Sequence, residues 1–311
     1  CMADTALPEL ADQLNASALL WQAGRKDEAR DITRALVDQM PLQGAAWLNN
    51  GLLAELAGDR EEAVRSYRRV LASNPDLAGS PFWTQGARAG WWDEIILAGE
   101  PGTDAPWRWQ VLLAAARFDE AVPEIEARLE VHPNDTLAQV GLGEALVGLQ
   151  RPADALTLLD KAVERVPASA HGHLVRGEAR LALGRYAEAE QDIRTALFLD
   201  PSPRAHLALA RLALETGLEE LALQEYAKAL SPVTLSQNTY VVLYGRTGWP
   251  AALPQVARLG YRQDGEAALQ WGDLLESRGD SETAIKVYEA ALNLDPFLTE
   301  VRQRLERGSE Q

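Results

Sequence analysis

An alanine followed by a proline twelve positions later recurs along the chain, and this repeat constrains the fold more than any other feature. Six of the 16 prolines in the 311 residues stand at this offset. The six pairs are Ala29–Pro41, Ala63–Pro75, Ala121–Pro133, Ala155–Pro167, Ala189–Pro201 and Ala284–Pro296. A seventh copy is centred on Ala222, where the proline is displaced to Pro232. Such a repeat predicts a chain built from stacked copies of one small unit.

Other positions keep the same register around each central alanine. Glycine stands five residues before it at Gly24, Gly58, Gly184, Gly217 and Gly279, and twelve before it at Gly51, Gly143, Gly177 and Gly272. The side chain four residues after it is Tyr67, Ile125, Leu159, Ile193, Tyr226 or Tyr288, with Thr33 as the exception. We expect the small residues to let two antiparallel helices approach closely. The glycine of the turn should end the first helix with a positive φ, and the proline should end the second. The large side chain is expected to fill the space between one hairpin and the next.

This register resembles the signature of tetratricopeptide-repeat (TPR) proteins, W-x2-L-G-x2-Y followed by A-x3-F and P. The resemblance implies an all-α fold, a right-handed superhelical TPR solenoid of about seven helical hairpins. Departures from the pattern are Ser17, Trp109 and Ala210 in place of glycine, and Pro123 early in a second helix. They make copies 1, 3 and 6 less regular without changing the expected fold.

Two inserts interrupt the array, because successive centres are 34, 58, 34, 34, 33 and 62 residues apart. The predicted organisation is a linker at 1–7, copies 1 and 2 at 8–77, a Trp-rich insert at 78–104, copies 3 to 6 at 105–236, a second insert at 237–262, copy 7 at 263–296, and a capping helix with its tail at 297–311. The run Arg88-Ala89-Gly90-Trp91 is echoed by Arg246-Thr247-Gly248-Trp249. Both inserts are therefore predicted to be extra helical segments of common origin.

The resemblance also implies a binding site, since ligands of TPR proteins usually lie in the concave groove lined by the first helices. It assigns to that groove Leu48, Asn49, Leu52, Val140, Glu144, Leu174, Glu178, Leu207, Arg211, Leu269 and Asp273. Chaperone-binding members clamp a terminal carboxylate with basic residues and asparagine at key positions, where this chain has leucine or valine. We expect an apolar stripe edged with mixed charge, suited to an amphipathic helix or an extended peptide. The alternative is that these residues mainly pack between helices.

Tryptophan is unusually frequent, with nine residues, five of which fall between positions 83 and 109. Trp83, Trp91, Trp92 and Trp249 are candidates for an aromatic interface with a protein or a glycan. Adjacent Trp91 and Trp92 cannot both point inward on one helix, so at least one should be exposed. The alternative is that these rings fill the space between a regular and a degenerate repeat.

Charge and motif content argue against several other function classes. The net charge of −16 repels phosphate backbones, so no nucleic-acid partner is expected. His171 and His173 are two positions apart on a helix and cannot chelate one metal as a pair. No sequence motif for catalysis or nucleotide binding is present. We therefore expect no enzymatic activity, no cofactor, no metal and no small-molecule substrate.

The single cysteine of the chain is residue 1. This position resembles that of a mature bacterial lipoprotein, which implies a lipid anchor on Cys1 and the extracytoplasmic face of a bacterial membrane. The function expected on this basis is a scaffold, as a subunit or assembly factor of a membrane-associated complex. An engineered or truncated N-terminus is the alternative, and it would leave a soluble cytoplasmic adaptor. A third possibility is an accessory protein that binds glycan or cell-wall material through the Trp-rich insert.

Overall fold

The computed structural model describes residues 3–97, 108–229, 240–244, 255–259, 262–294 and 298–308. The chain divides into two compact units. The first comprises Cys1–Arg108, Thr239–Gly260 and Asn293–Phe297, and the second comprises Trp109–Asn238, Tyr261–Leu292 and Leu298–Gln311.

Each predicted copy is a helical hairpin, and the predicted all-α fold is confirmed. Copies 1 to 3 are α1 (Ala3–Gln22) with α2 (Lys26–Gln39), α3 (Gly44–Leu56) with α4 (Arg60–Ser73), and α6 (Arg108–Ala114) with α7 (Phe118–Val131). Copies 4 and 5 are α8 (Thr136–Gly148) with α9 (Pro152–Arg165), and α10 (Ala170–Ala182) with α11 (Tyr186–Leu199). Copies 6 and 7 are α12 (Pro203–Glu215) with α13 (Glu219–Ala229), and α14 (Arg262–Ser277) with α15 (Ser281–Leu294). The short helix α5 (Trp92–Leu97) lies in the first insert, and α16 (Thr299–Gly308) follows copy 7.

The turn inside every hairpin has a residue with positive φ five positions before the central alanine. Glycine fills this position in five copies, with φ between 70° and 80°. In copies 3 and 4 the same conformation is adopted by Ala116, with φ 56°, and by Gln150, with φ 60°. The expected role of the turn glycine is confirmed, and the backbone keeps its shape where the glycine is missing.

The glycine twelve positions before the central alanine packs against the large side chain four positions after it. A Cβ added to Gly143 would lie 2.6 Å from a methyl carbon of Leu159, and one added to Gly177 would lie 2.8 Å from Ile193. Both partners belong to the same hairpin. The large side chain also contacts the next hairpin, as expected: Ile193 shares a core cluster with Ala205 and Ala208 of α12, and the Tyr226 hydroxyl donates to Gln270 of α14 at 2.9 Å.

A second recurring contact joins successive copies. The side chain sixteen positions before the central alanine hydrogen-bonds to the carbonyl of the proline that ends the preceding copy. Trp47 Nε1 donates to Pro41 at 2.9 Å, Gln139 Nε2 donates to Pro133 at 2.8 Å, and His173 Nε2 lies 3.0 Å from the Pro167 oxygen. The proline thus ends a helix and also supplies an acceptor that fixes the start of the next one.

Helix α1 begins at Ala3, so the linker predicted for residues 1–7 is wrong for residues 3–7. The prediction used Pro8 as the start of the helix, but Pro8 is the sixth residue of α1. Pro123 is likewise the sixth residue of α7. Each proline removes one intrahelical hydrogen bond, and both helices continue through it.

The first insert is helical over its described residues, as predicted. Three 3₁₀ helices, Pro75–Gly79, Pro81–Thr84 and Ala87–Trp91, lead into α5. The second insert is different. Strands β1 (Tyr240–Tyr244) and β2 (Gln255–Leu259) pair antiparallel, with Tyr240 opposite Leu259 and Tyr244 opposite Gln255. The helical prediction is wrong for these strands, and the aromatic and β-branched residues of β1 favour an extended backbone.

Helix α16 closes the second unit after copy 7. Leu298 and Val301 are buried and Leu305 is partly buried against α14 and α15, as expected of a capping helix. None of the described helices combines the length and the apolar character needed to cross a bilayer.

Candidate functional site

The apolar side chains assigned to the groove lie almost entirely inside the structure. The exposed fractions are 0% for Leu48, 5% for Leu52, 2% for Val140, 5% for Leu174 and 2% for Leu207. They pack between helices, which is the alternative left open by the sequence. An apolar stripe available to a partner is therefore not present at these five positions, because stacking of the hairpins covers them.

Asn49 is also buried, at 2% exposed, and its side chain donates to the Ala45 carbonyl at 2.8 Å. Leu269 is half-buried against the last core cluster of the second unit. Asp273 accepts hydrogen bonds from the Tyr288 hydroxyl at 3.1 Å and from Arg304 of the capping helix at 2.7 Å. Asp273 thus holds α16 to copy 7.

Two polar members of the set, Glu144 and Glu178, meet His171 and Arg204 in copies 4 to 6. We call these four residues the inner-face network. Glu144, Glu178 and Arg204 come from α8, α10 and α12, the first helices of three successive copies. Arg204 donates Nε and Nη2 to the two oxygens of Glu178, at 3.0 and 2.6 Å. Its Nη1 donates to Glu144 at 2.5 Å. One guanidinium therefore bridges three helices.

Electrostatic interactions in this network favour the charged forms of Glu144 and Arg204. Burial by itself would raise the pKa of Glu144, but the charge of Arg204 and the hydrogen bond from His171 hold that pKa well below its ordinary value. Burial acts to lower the pKa of Arg204, and the two carboxylates raise it well above its ordinary value. Glu144 is thus a carboxylate and Arg204 is a cation at neutral pH.

The inner-face network keeps partial access to solvent. The exposed fractions of the side chains are 18% for Glu144, 16% for Glu178, 32% for Arg204 and 40% for His171. The sequence pattern assigned Glu144 and Glu178 to the groove, but it did not identify Arg204 or His171. Both stand seven positions before groove residues that were identified, Arg211 and Glu178, so the helical spacing was the available signal. Arg211 itself lies near Gln270, with its Nε 3.4 Å from the amide oxygen.

Aromatic residues of the first insert form a chain of ring contacts from the core to the surface. Tyr67 and Phe82 meet edge to face at 5.9 Å, Phe82 and Trp83 at 4.9 Å, and Trp83 and Trp92 lie 5.2 Å apart. Trp83 is 3% exposed and donates its Nε1 to Leu77. Trp91 and Trp92 are half-buried. The prediction was that at least one of these two rings is exposed, and in the structure both are partly exposed. Trp249 lies outside the described residues.

A buried ion pair that the sequence did not reveal fixes this insert to copy 2. Glu55 accepts hydrogen bonds from the Arg88 guanidinium at 2.9 Å, from the Tyr67 hydroxyl at 2.6 Å and from the Ala87 amide at 2.6 Å. The side chains of Glu55 and Arg88 are 7% and 6% exposed. Gly86 has φ 64°, and a Cβ there would lie 2.3 Å from the carboxylate. No spacing in the sequence pairs these residues.

Comparison with known proteins places the chain in a family. A family model described as tetratricopeptide repeat matches residues 14–78, 110–170 and 174–235, and a second model of the same description matches residues 266–297. Together these segments cover more than half of the chain.

The curated relatives share only part of their length with this chain. The DnaJ homolog subfamily C member 7 homolog of Schizosaccharomyces pombe is 24% identical over 207 residues, which are 65% of this chain and 41% of the relative. Hsc70-interacting protein 1 of Drosophila melanogaster is 33% identical over 84 residues, which are 27% of this chain and 22% of the relative. A solved tetratricopeptide repeat protein from Parabacteroides merdae is 15% identical, with 96% of this chain and 98% of that one covered and a TM-score of 0.47. On the extent of the family match, the chain belongs to the tetratricopeptide repeat family.

Proposed function

We propose that this protein is a non-enzymatic scaffold that binds other proteins through the inner-face network of copies 4 to 6. Tetratricopeptide repeat proteins generally act as scaffolds for protein interactions. Relatives named for an interaction with Hsc70 support protein partners in particular. The nature of the partner is not carried over from these relatives, because the matches span less than half of their length.

One observation carries the proposal: the inner-face network is partly exposed while the neighbouring apolar positions are buried. A partner that contacts these helices meets carboxylates, a guanidinium and an imidazole. Recognition would then rest on hydrogen bonds and ion pairs with a polar extended segment. The amphipathic helix expected from the sequence is disfavoured, since no apolar surface is offered at Val140, Leu174 or Leu207.

The test compares two charge-removing variants of the full chain as baits in affinity purification from the source cells. The inner-face variant carries Glu144→Gln, Glu178→Gln and Arg204→Gln. The control variant carries Glu190→Gln and Arg194→Gln, an exposed ion pair of 2.8 Å on α11. We expect the inner-face variant to lose specific partners that the wild type and the control retain, with both variants folded by circular dichroism. Equal recovery of all partners by both variants would contradict the proposed site.

We further propose that the scaffold is anchored by a lipid on Cys1 and works in a membrane-associated complex on the extracytoplasmic face of a bacterial membrane. The support is the resemblance of Cys1, the single cysteine in the sequence, to the lipidated cysteine of bacterial lipoproteins. Intact mass and peptide mapping of protein from its native source test this. A diacylglyceryl group or larger on the Cys1 peptide is expected. An unmodified thiol would contradict the anchor and favour a soluble cytoplasmic adaptor.

A second candidate function is binding of glycan or cell-wall material by the first insert. It is favoured by the partial exposure of Trp91 and Trp92. It is weakened by the guanidinium of Arg60, which lies 5.6 Å from the centroid of the Trp91 ring and covers part of that face. Titration of tryptophan fluorescence with cell-wall oligosaccharides tests it, with Trp92→Ala as the variant. No change in the wild-type emission would eliminate this candidate.

A further inference from the structure

The hairpin of β1 and β2 packs against the first two copies, although it lies between copies 6 and 7 in the sequence. It belongs to the first compact unit, together with copies 1 and 2. Strand β1 lies against α3 and α1, and β2 lies against α1. Helices α1 and α3 are the first helices of their copies. The hairpin therefore packs on the helices that correspond to α8, α10 and α12, which carry the inner-face network.

Two positions of each first helix show how the two groups of copies differ. They stand eighteen and eleven residues before the central alanine, and they include all four members of the inner-face network. In copies 4 to 6 they are at least partly exposed, and they are Leu137 and Glu144, His171 and Glu178, and Arg204 and Arg211. In copy 2 the same positions are Ala45 and Leu52, which are 7% and 5% exposed. Ala45 joins a core cluster with residues of α1, so Leu52 is the better reporter of what lies on this face.

The face of copy 2 also differs in chemistry from that of copies 4 to 6. Helix α3 contains one charged residue, Glu55, which forms the buried pair with Arg88. Strand β1 has the sequence Tyr-Val-Val-Leu-Tyr and contains no charged residue. An uncharged strand thus lies on a nearly uncharged helix, a pairing that suits contact driven by the burial of apolar surface.

The hairpin depends on the helices that it contacts. Strands β1 and β2 form a sheet of two, paired from Tyr240 opposite Leu259 to Tyr244 opposite Gln255. An isolated two-stranded hairpin is at best marginally stable in water, and packing against a helix is one of the ways to stabilise it. The contacts with α1 and α3 supply that packing.

We propose that the inner face of copies 1 and 2 around Leu52 is an apolar docking surface, and that the hairpin is its built-in cover. The surface takes an uncharged extended segment rich in aromatic and β-branched residues, because the strand that lies on α3 has this chemistry. When the cover leaves, Leu52 becomes accessible and a partner segment of the same kind takes the place of β1. This surface is separate from the inner-face network of copies 4 to 6, which offers charged groups.

Thiol accessibility in the full chain tests the cover. Cys1→Ser removes the single native cysteine, and Leu52→Cys places one thiol at the covered position. The cover is opened by Val242→Pro with Leu243→Pro, because ladder pairing alternates along a strand and a proline at the paired position removes a donor. We expect the opened chain to react with a maleimide at least about tenfold faster, since a minor open state holds roughly 10% of the molecules or less. An unchanged rate would overturn the proposal.

Two further cysteine positions separate opening from unfolding. Leu137→Cys lies at the matched position of copy 4, where the native leucine is 51% exposed, and should react fast with and without the two prolines. Leu53→Cys lies in a core cluster with Trp21 and Ala29 of copy 1 and should stay slow in both. A rise at Leu53→Cys equal to that at Leu52→Cys would show that the hairpin holds copy 2 together, and it would overturn the proposal.

A labelled synthetic peptide of residues 238–261 tests the chemistry of the partner by fluorescence anisotropy. We expect it to bind the opened chain at least about tenfold more tightly than the wild type, because the cover competes for the surface in the wild type. Leu52→Lys in the opened chain should abolish binding, and Leu137→Lys should leave it unchanged. Equal affinity for the wild type and the opened chain, or binding to neither, would overturn the proposal. A wild-type dimer that the two prolines dissociate would place the hairpin on a second copy and would overturn the built-in cover.

Discussion

Ala116 and Gln150 hold a left-handed backbone conformation that the other five copies assign to glycine. A side chain in this conformation costs about 1–2 kcal/mol, more than the roughly 0.5–1 kcal/mol that the entropy of a glycine costs. We therefore predict that Ala116→Gly and Gln150→Gly each increase the free energy of unfolding by about 0.5–1 kcal/mol. Urea denaturation followed by circular dichroism measures the change.

A matched control for this prediction is an alanine that lies in an ordinary helical conformation. Ala227 is exposed on α13, and Ala227→Gly should lower the free energy of unfolding by about 1 kcal/mol, the usual helix penalty of glycine. Destabilisation by all three substitutions would show that the two turns are not strained by their side chains.

Gly143 on α8 lies against the side chain of Leu159 on α9, the second helix of copy 4. Because an added Cβ would lie 2.6 Å from Leu159, Gly143→Ala forces the helices apart, and we predict a loss of about 1–3 kcal/mol in the free energy of unfolding. Combining it with Leu159→Ala removes the clash, so the two losses should be less than additive. Additive losses in a double-mutant cycle, measured by urea denaturation, would argue against this contact.

The signature positions could be predicted because each has the same local structural role in every copy. Copy 1 shows the limit of that reasoning. It has Ser17 and Thr33 in place of the glycine and the large side chain, and both are fully buried. The Ser17 hydroxyl donates to the Leu14 carbonyl at 2.8 Å, and the Thr33 hydroxyl donates to the side-chain oxygen of Asn50 in copy 2 at 2.9 Å. Neither partner follows from the repeat signature.

At the scale of elements, the first insert depends on the ion pair between Glu55 and Arg88. Removing one partner of a buried pair leaves an uncompensated charge, so we predict that Arg88→Met lowers the free energy of unfolding by about 3–5 kcal/mol. The aromatic contacts of Trp83 and Trp92 should loosen as well, giving a red shift of tryptophan emission. Arg25→Met, which breaks the exposed pair with Glu28 in copy 1, is the control and should cost less than about 1 kcal/mol. Similar losses for both variants would contradict the anchoring role of Glu55.

The inserts and the inner face were harder to predict than the hairpins. A structural role predicted for one repeat position can be checked against the same position in the other copies. An insert has at most one related segment in the chain, so its structure cannot be checked in this way. The echo of Arg88 to Trp91 in the second insert suggested helices, and the strands at Tyr240–Tyr244 and Gln255–Leu259 show that the likeness does not extend to secondary structure. The inner-face network joins residues up to 60 positions apart, and only the stacking of helices brings Glu144 and Arg204 together.

At the scale of the whole molecule, buried carboxylates connect stability to pH. Among the described carboxylates, Glu62, Asp192 and Glu225 are buried between helices and have lowered pKa values, as does the more exposed Glu144. Hydrogen bonds from Arg34, opposed by burial and aided by Arg30 and Asn50, lower the pKa of Glu62 to about 2, from an ordinary 4.5. Such a group binds protons more readily in the unfolded chain than in the folded one. Its contribution to stability is complete above the unfolded pKa and is lost as pH falls toward the folded pKa.

We therefore predict that the free energy of unfolding falls steeply between about pH 5 and pH 2, with Glu62 contributing on the order of 3 kcal/mol of that loss. Glu62→Gln should be less stable than the wild type at pH 7, because Arg30 and Arg34 lose their shared carboxylate. The difference between the two proteins should shrink as pH falls, since protonation brings the wild type to a similar neutral state. Urea denaturation at a series of pH values measures both curves.

Glu61→Gln, a change at an exposed neighbour on the same helix, should leave the wild-type curve unaltered. If the difference in free energy of unfolding between wild type and Glu62→Gln stayed constant from pH 7 to pH 2, the role of Glu62 would be steric. Its charge would then not contribute to the loss of stability at low pH.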